Sequence, residues 1–447
     1  MRPFVVKPVS ALKGEISLLG DKSISHRSII LSALSKGATV IKNFPLNKDC
    51  LFTLNAFNKL GIKIIRKNNP KGLSATLKIY GNGFFGLKEC KNDIFVGDSG
   101  TTLRLLLGVL AGQDFKTRLV CGKSLSQRPM SRVTKPLRMM GSKIQARKVV
   151  RNSETEEYPP VTIKGGEIRA LTYKMPVASA QVKSAILLAA LFADGKTKVT
   201  EDFKTRDHTE RMLKLFKANI RVKKNTITLK GKKELVSPGT ITVPGDISSA
   251  AFFMVLAALT ENSNIKLRNL TLNPTRAGIL NVLKKMGADL MIKHSRRNMS
   301  GFEQVGDIII RGSSLKAAKI KKREVPFLID ELPVLMVAAS LAKGKSVFEG
   351  VGELRVKETD RIRSMSENLT RMGAKITISK TKDGENIIIE GVKQLTGAKV
   401  RSFKDHRTAL SMVVAGALAA GKTKIDDISC INKSFPGFFD LFNRLKH

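Results

Sequence analysis

Between Gly20 and Ser28 the chain reads GDKSISHRS, which places Lys22, Ser23 and Arg27 within one turn and a half of a helix start. An ammonium, a hydroxyl and a guanidinium beside free backbone N–H groups suit a carboxylate or a phosphate. A helix N-terminus carries partial positive charge, and Arg grips planar oxyanions with two parallel bonds. A solvated basic cap would use the same letters. A second concentration lies in KETDR, where Glu358 is flanked by Lys357 and stands three residues before Arg361 on a helix start. A carboxyl held among cations can serve as acid or base; a surface ion-pair network has the same composition. His406, beside Arg407, suits either orientation of a phosphate or helix capping, and His26 reads as structural.

Other patterns carry no chemistry. Cys50, Cys90, Cys121 and Cys430 form neither CxxC pairs nor a Cys/His ligand spacing, so they read as scattered reduced thiols, and no metal site is expected. GALAAGKT at 416–423 matches a phosphate-loop pattern, but an apolar helix precedes Gly421 and strand-like TKIDDI follows, the reverse of the required order. GNGFFG at 81–86 lacks a long amphipathic helix after it and reads as a tight loop.

Positioning groups so far apart in sequence needs a regular scaffold, and repetition supplies it. ILSALSKGATVI, LLGVLAGQDFKTRLV, LLAALFADGKTKVT, MVLAALTENSNIKL, MVAASLAKGKSVFEG and VVAGALAAGKTKI each run from an Ala/Leu-rich helix through a turn into a β-rich segment. Six copies divide 447 residues into units of about 75. A second helix ends most units, as in FNKLGIKII, LRMMGSKIQ, LFKANIRV, LKKMGADLMI and LTRMGAKITI, and Gly there suits a left-handed C-terminal cap. The first helices open at Ser23-Ile24-Ser25, Ser99-Gly100-Thr101, Ser179-Ala180-Gln181, Ser248-Ser249, Asp330-Glu331 and Asp405-His406, residue types suited to N-caps.

The expected fold is α/β, with two domains of three pseudo-symmetric strand/two-helix repeats each. Leu19-Gly20-Asp21 and Pro244-Gly245-Asp246 read as the two crossings. Residues 1–20 and 243–447 would form one discontinuous domain and 21–242 the second, with the active site in the cleft between them, where helix N-termini make an anion site.

Lys plus Arg number 79 against 37 Asp plus Glu, a net charge of +42, and 42% of residues are apolar, which excludes global disorder and points to anionic partners of some kind. Trp is absent, Tyr158 and Tyr173 are isolated, and the basic residues spread over all six repeats, so the stacking aromatics and basic cluster of a nucleic-acid binder are missing. No apolar run approaches the ~20 residues of a membrane span, and MRPFVVKPVSALKG lacks a secretory signal. A cytoplasmic enzyme, likewise without a membrane partner, is expected.

GDKSISHR resembles the signature of the EPSP synthase (3-phosphoshikimate 1-carboxyvinyltransferase) family. The resemblance extends through GDSGTTLRLL (97–106), SQRPM (126–130), VASAQVKSA (177–185), TRDHTERML (205–213), VPGDISSAAF (243–252), IDELPVLMVAA (329–339), ELRVKETDRIR (353–363), DHRTALS (405–411) and NKSFPGFF (432–439), in the family's order. It implies an inside-out α/β barrel of two three-repeat domains closing over the active site. It also implies transfer of the enolpyruvyl group of phosphoenolpyruvate to the 5-hydroxyl of shikimate 3-phosphate, with release of phosphate, on the route to chorismate and the aromatic amino acids.

By the same resemblance, Lys22, Ser23, Arg27, Ser179, Ala180, Gln181, Arg206, Asp330 and Lys357 would hold shikimate 3-phosphate, the serines and Arg206 on its phosphate. Lys22, Gly100, Thr101, Arg128, Gln181, Arg361, Arg407 and Lys433 would surround phosphoenolpyruvate. Lys22, Asp330 and Glu358 are the expected catalytic groups, Glu358 exchanging a proton with the methylene carbon and Asp330, with Lys22 nearby, taking the hydroxyl proton. No cofactor or metal is implied, and a monomer is expected. Gly100, replaced by Ala in glyphosate-tolerant relatives, is retained, which implies glyphosate sensitivity. Asp98 departs from the family's usual Asn, and a carboxylate there would repel a polyanion unless Arg128 or Arg104 neutralised it. UDP-N-acetylglucosamine enolpyruvyl transferase, which does the same chemistry on a nucleotide sugar, is the nearest alternative. That family has a Lys-Asn pair and a loop Cys, whereas here Ser23 follows Lys22 and the Cys121 region reads as a strand.

Overall fold

The computed structural model describes residues 3–70, 72–151, 154–295, 301–381 and 384–447. Within them lie helices α1 (Lys22–Leu34), α2 (Lys48–Lys59), α3 (Gly100–Leu110), α4 (Ser131–Met139), α5 (Ala180–Ala190) and α6 (His208–Leu215). They are followed by α7 (Ile247–Leu259), α8 (Gly278–Lys285), α9 (Leu332–Leu341), α10 (Arg361–Arg371), α11 (His406–Leu418) and α12 (Phe438–Leu445). The odd-numbered helices come from the Ala/Leu-rich segments and are buried almost throughout. A helix that is apolar on all sides can only be stable inside a core. The even-numbered helices bury one face and end in charged turns, as amphipathic covering helices do. Gly61, Gly141, Gly287 and Gly373 follow α2, α4, α8 and α10 at φ between 85° and 113°, and after α6, where no glycine is available, Lys217 takes φ 64°.

Among the described residues the strands form six sheets, five on one plan and a sixth, built on Thr423–Ile425, that lacks the outer antiparallel strand. Lys196–Thr200 pairs parallel with Thr172–Lys174 and antiparallel with Thr226–Lys230, whose other neighbour is Asn219–Lys223. Lys116–Val120, Lys345–Phe348 and Asn264–Thr271 are the centres of three further copies. Ser35–Pro45 takes its parallel partners from Leu235–Val236 and Thr240–Thr242, some 200 residues on. Phe4–Val6 pairs with Thr423–Ile425, and Lys13–Ser17 with Asn264–Thr271. The α/β class expected from the repeats is therefore the class observed.

The described residues separate into two compact units: those within 20–243 and 299–302, and those within 1–19, 244–298 and 303–447. Each has its own apolar core, packed around α1, α3 and α5 in the first and around α7, α9 and α11 in the second. Among the described residues no helix is long and apolar enough to cross a membrane.

Candidate active site

In the unit that holds α1 to α6, the starts of the three buried helices carry the residues singled out above. Asp21, rather than Ser23, caps α1, accepting from the Ile24 amide at 2.9 Å, and this leaves Lys22 and Ser23 half-buried in the first turn. Lys22 Nζ lies 3.1 Å from Asp49 Oδ2 at the start of α2. Ser99 caps α3 and Ser179 caps α5 through their hydroxyls. Gln181 joins these helices: its side-chain amide donates to Thr101 Oγ1 at 3.0 Å and accepts from Arg104 Nη1 at 2.8 Å. Arg104 also donates to the Pro129 carbonyl at 3.2 Å, next to Arg128.

Arg104 therefore ties Gln181 to the Arg128 loop, a role the sequence reading missed. Its signal was the spacing of four from Gly100, which stacks it over the first turn of α3. A Cβ on Gly100 would lie 2.7 Å from Arg104 Nη1 and 2.9 Å from Arg128 Nη1, so the bare glycine is what lets both guanidinium groups approach the helix start. Asp98 Oδ1 accepts from the Ser124 and Leu125 amides at 3.1 and 3.2 Å. These backbone dipoles brace the turn before Arg128 and offset the repulsion expected of Asp98, in addition to any guanidinium.

Arg27 is buried and clamped. Nε donates to Thr209 Oγ1 at 2.7 Å, Nη2 to Ser184 Oγ at 2.8 Å and Nη1 to the Ser23 carbonyl at 2.9 Å, which leaves part of its five-donor fork for a ligand. Burial pushes its pKa down to about 10, with Glu210 and Asp21 opposing, so it stays cationic at neutral pH. Arg206 stands half-buried just before α6. Along α1, His26 Nδ1 is 2.6 Å from Thr53 Oγ1, which is 2.7 Å from Thr102 Oγ1, itself 2.7 Å from Ser99 Oγ.

Burial, then the charges of Lys22 and Arg27, hold His26 well below 6.5. The unfolded chain therefore binds the extra proton first, and stability is lost as pH falls below about 6.5, by up to ~1.4 kcal/mol per pH unit. A His26→Asn variant should show a flatter melting temperature between pH 6.5 and 5 than the parent; identical slopes in a calorimetric pH series would contradict this.

In the unit that holds α7 to α12, Arg361 is the centre. It is 1% exposed and spans three carboxylates: Nε to Asp405 Oδ2 at 3.0 Å, Nη1 to Asp330 Oδ1 at 3.2 Å and Nη2 to Glu358 Oε2 at 2.6 Å. Burial works against its charge, but Asp405, Glu358 and Asp330 outweigh it and hold Arg361 above its ordinary value. Asp360 caps α10, so Arg361 is its first residue and Glu358 lies in the preceding turn. Asp405 caps α11 through the Arg407 and Thr408 amides. Its second role, as a partner of Arg361, depends on contacts between helices and has no local signal.

Arg407 is buried, donates from Nη1 to the Ser248 carbonyl at 3.0 Å and lies over the Phe252 ring at 5.8 Å. Lys357 Nζ approaches Glu353 at 3.4 Å, and Lys433 is half-buried in the 429–433 turn. Asp246, rather than Ser248, caps α7, while Ser248 donates to Glu331, which also pairs with Arg276 Nη1 at 2.9 Å. That buried set is a scaffold beneath α7 and α9.

Cys50, Cys121 and Cys430 are not placed to act as nucleophiles. Burial, followed by the Asp98 charge, pushes Cys121 up to about 11, and burial also raises Cys50 and Cys430. At neutral pH such thiols stay protonated. The arrangement thus offers one set of cations and hydroxyls at three helix starts, and a second set of carboxylates and cations gathered by Arg361. These are the parts needed to bind anions and to move protons.

The family model of EPSP synthase (3-phosphoshikimate 1-carboxyvinyltransferase) matches residues 6–442. A 3-phosphoshikimate 1-carboxyvinyltransferase from Desulforamulus reducens is 46% identical over 441 residues, 99% of both chains, and one from Thermoanaerobacter sp. is 44% identical, covering 98% of this chain and 99% of that one. Among solved structures, EPSP synthase from Acinetobacter baumannii is 42% identical with a TM-score of 0.84, covering 100% of this chain and 98% of that one. The enolpyruvyl transferase NikO from Streptomyces tendae, 14% identical with a TM-score of 0.75 over 99% and 97% of the two chains, shares the fold. The family match over residues 6–442, with identity above 40% over nearly the full length of these relatives, makes this chain a member of the EPSP synthase family.

Proposed function

We propose that this protein catalyses the enolpyruvyl transfer of its family, joining phosphoenolpyruvate to the 5-hydroxyl of shikimate 3-phosphate and releasing inorganic phosphate. The observation that carries the reading is the Arg361 cluster, which gathers Asp330, Glu358 and Asp405 on one buried guanidinium. Asp330 and Glu358 are the half-buried carboxyls of this cluster, fixed by the guanidinium where a bound substrate can exchange protons with them.

In this reading Glu358 gives a proton to the methylene carbon of phosphoenolpyruvate while the substrate hydroxyl adds to the neighbouring carbon and its proton passes to Asp330. The tetrahedral adduct then returns the methyl proton to Glu358 as the carbon–oxygen bond to phosphate breaks, and the hydroxyl proton held by Asp330 leaves with the released phosphate. Ser23, Arg27, Ser179, Ala180, Gln181, Arg206 and Lys357 hold shikimate 3-phosphate, and Gly100, Thr101, Arg128, Arg361, Arg407 and Lys433 hold phosphoenolpyruvate. Lys22 spans both substrates. Arginine suits these places because its planar fork matches carboxylate and phosphate. The working form is a cytoplasmic monomer without nucleic-acid or membrane partners, so sedimentation should show a single 49.0 kDa species.

Turnover in deuterium oxide tests the chemistry: deuterium should enter the vinyl methylene of the product, and its absence would rule out addition followed by elimination. Gly100→Ala should move the Arg128 guanidinium, raising the KM for phosphoenolpyruvate about ten-fold and the glyphosate inhibition constant by more. The parent should be glyphosate-sensitive, and a rate unaffected by saturating glyphosate would contradict the placement of Gly100.

A further inference from the structure

We propose that the buried pair Lys183–Glu201 positions the segment carrying Arg206, and so sets affinity for the phosphate of shikimate 3-phosphate rather than merely holding the core together. This rests on the reading that Arg27, Ser179 and Arg206 bind that substrate. Lys183, on α5 one turn below Ser179, is fully buried with Nζ 2.8 Å from Glu201 Oε1 and 2.7 Å from Glu210 Oε1, both carboxylates being buried as well.

Glu201 turns its other oxygen to Thr205, accepting from the backbone amide at 3.0 Å and also from the hydroxyl, while Lys183 Nζ reaches the Thr205 carbonyl at 3.5 Å. Both backbone groups of the residue before Arg206 are therefore held by one ion pair. The same helices carry the Arg27 clamp. Ser184, next to Lys183, is 2.6 Å from Thr209 Oγ1, next to Glu210, and both hydroxyls accept from Arg27.

Stability alone does not call for such a cluster. Apolar side chains of similar volume in place of a buried ion pair are often neutral or stabilising, whereas a fixed charge geometry specifies one arrangement. Burial raises the Glu210 carboxyl even against Lys183, while Lys183 itself is held above its ordinary value by Glu210 and Glu201 despite burial. The lysine therefore remains a cation at neutral pH and keeps its grip on both segments.

Steady-state kinetics of three variants of the full chain decide the matter. Thr205→Val, which removes one donor to Glu201 and leaves the ion pairs, and the double variant Lys183→Met/Glu201→Gln should each raise the KM for shikimate 3-phosphate about ten-fold. The KM for phosphoenolpyruvate should stay within about two-fold, and kcat nearly unchanged. Arg206→Ala is the reference. If Arg206→Ala raises that KM and the other two variants do not, or if they raise both KM values equally, the positioning role is overturned. If Arg206→Ala also leaves it unchanged, the assignment of the phosphate site itself fails. Should the double variant not fold, Thr205→Val decides alone.

Discussion

Arg361→Met is expected to be both inactive and unstable. The substitution leaves Asp405, fully buried, and Asp330 and Glu358, half-buried, facing one another without their shared cation. Removing one member of a buried ion cluster typically costs ~3–5 kcal/mol, because Asp405 stays desolvated without the guanidinium that offsets its charge. Arg361→Lys separates charge from geometry. An ammonium keeps the positive charge but cannot present Nε, Nη1 and Nη2 to three carboxylates at once, so the melting temperature should recover in part while kcat/KM stays about a hundred-fold or more below the parent. A lysine variant with parental kinetics would show that the trident is not needed for positioning.

The second large effect is expected at Glu358. Glu358→Gln keeps an oxygen that can accept from Arg361 Nη2, so the fold and both KM values should change little. It removes the exchangeable proton, and kcat should fall by about 10²–10⁴, the usual contribution of a positioned acid or base. The residual rate of the variant should be nearly independent of pH over the range in which the parent rate varies, because the titrating group is gone. A variant that retained more than about half of the parental kcat would move proton transfer to another group, with Asp330 the first to examine.

The regular parts of this protein were readable from its letters, and the parts built by contacts across the fold were not. The Ala/Leu-rich segments became the buried helices, since chains apolar on every side have no other stable place, and the KLG, MMG, KMG and RMG endings became left-handed caps. Lys217 shows the limit, as the position demands φ 64° whether or not a glycine is present. Capping chemistry is degenerate, so Asp21 and Asp246 took the places read as Ser23 and Ser248.

The candidate site residues are concentrated in short motifs such as GDKSISHRS and KETDR, which made them legible in the sequence. Arg104, Asp49, Asp405 and Lys183 acquire their meaning from partners 18 to 77 positions away, which no local pattern displays. The charge of +42 pointed to anionic ligands, yet most of it lies outside the candidate site, in stretches such as KKNTITLKGKK and KAAKIKKR for which the structure shows no functional reason.

The most direct measurement is inorganic phosphate release from the purified protein given phosphoenolpyruvate and shikimate 3-phosphate together, with each substrate alone as control. Phosphate should appear in step with the enolpyruvyl ether only when both are present, and should fall to background with Glu358→Gln. No phosphate from the parent with both substrates, or equal release from phosphoenolpyruvate alone, would contradict enolpyruvyl transfer as the function of this protein.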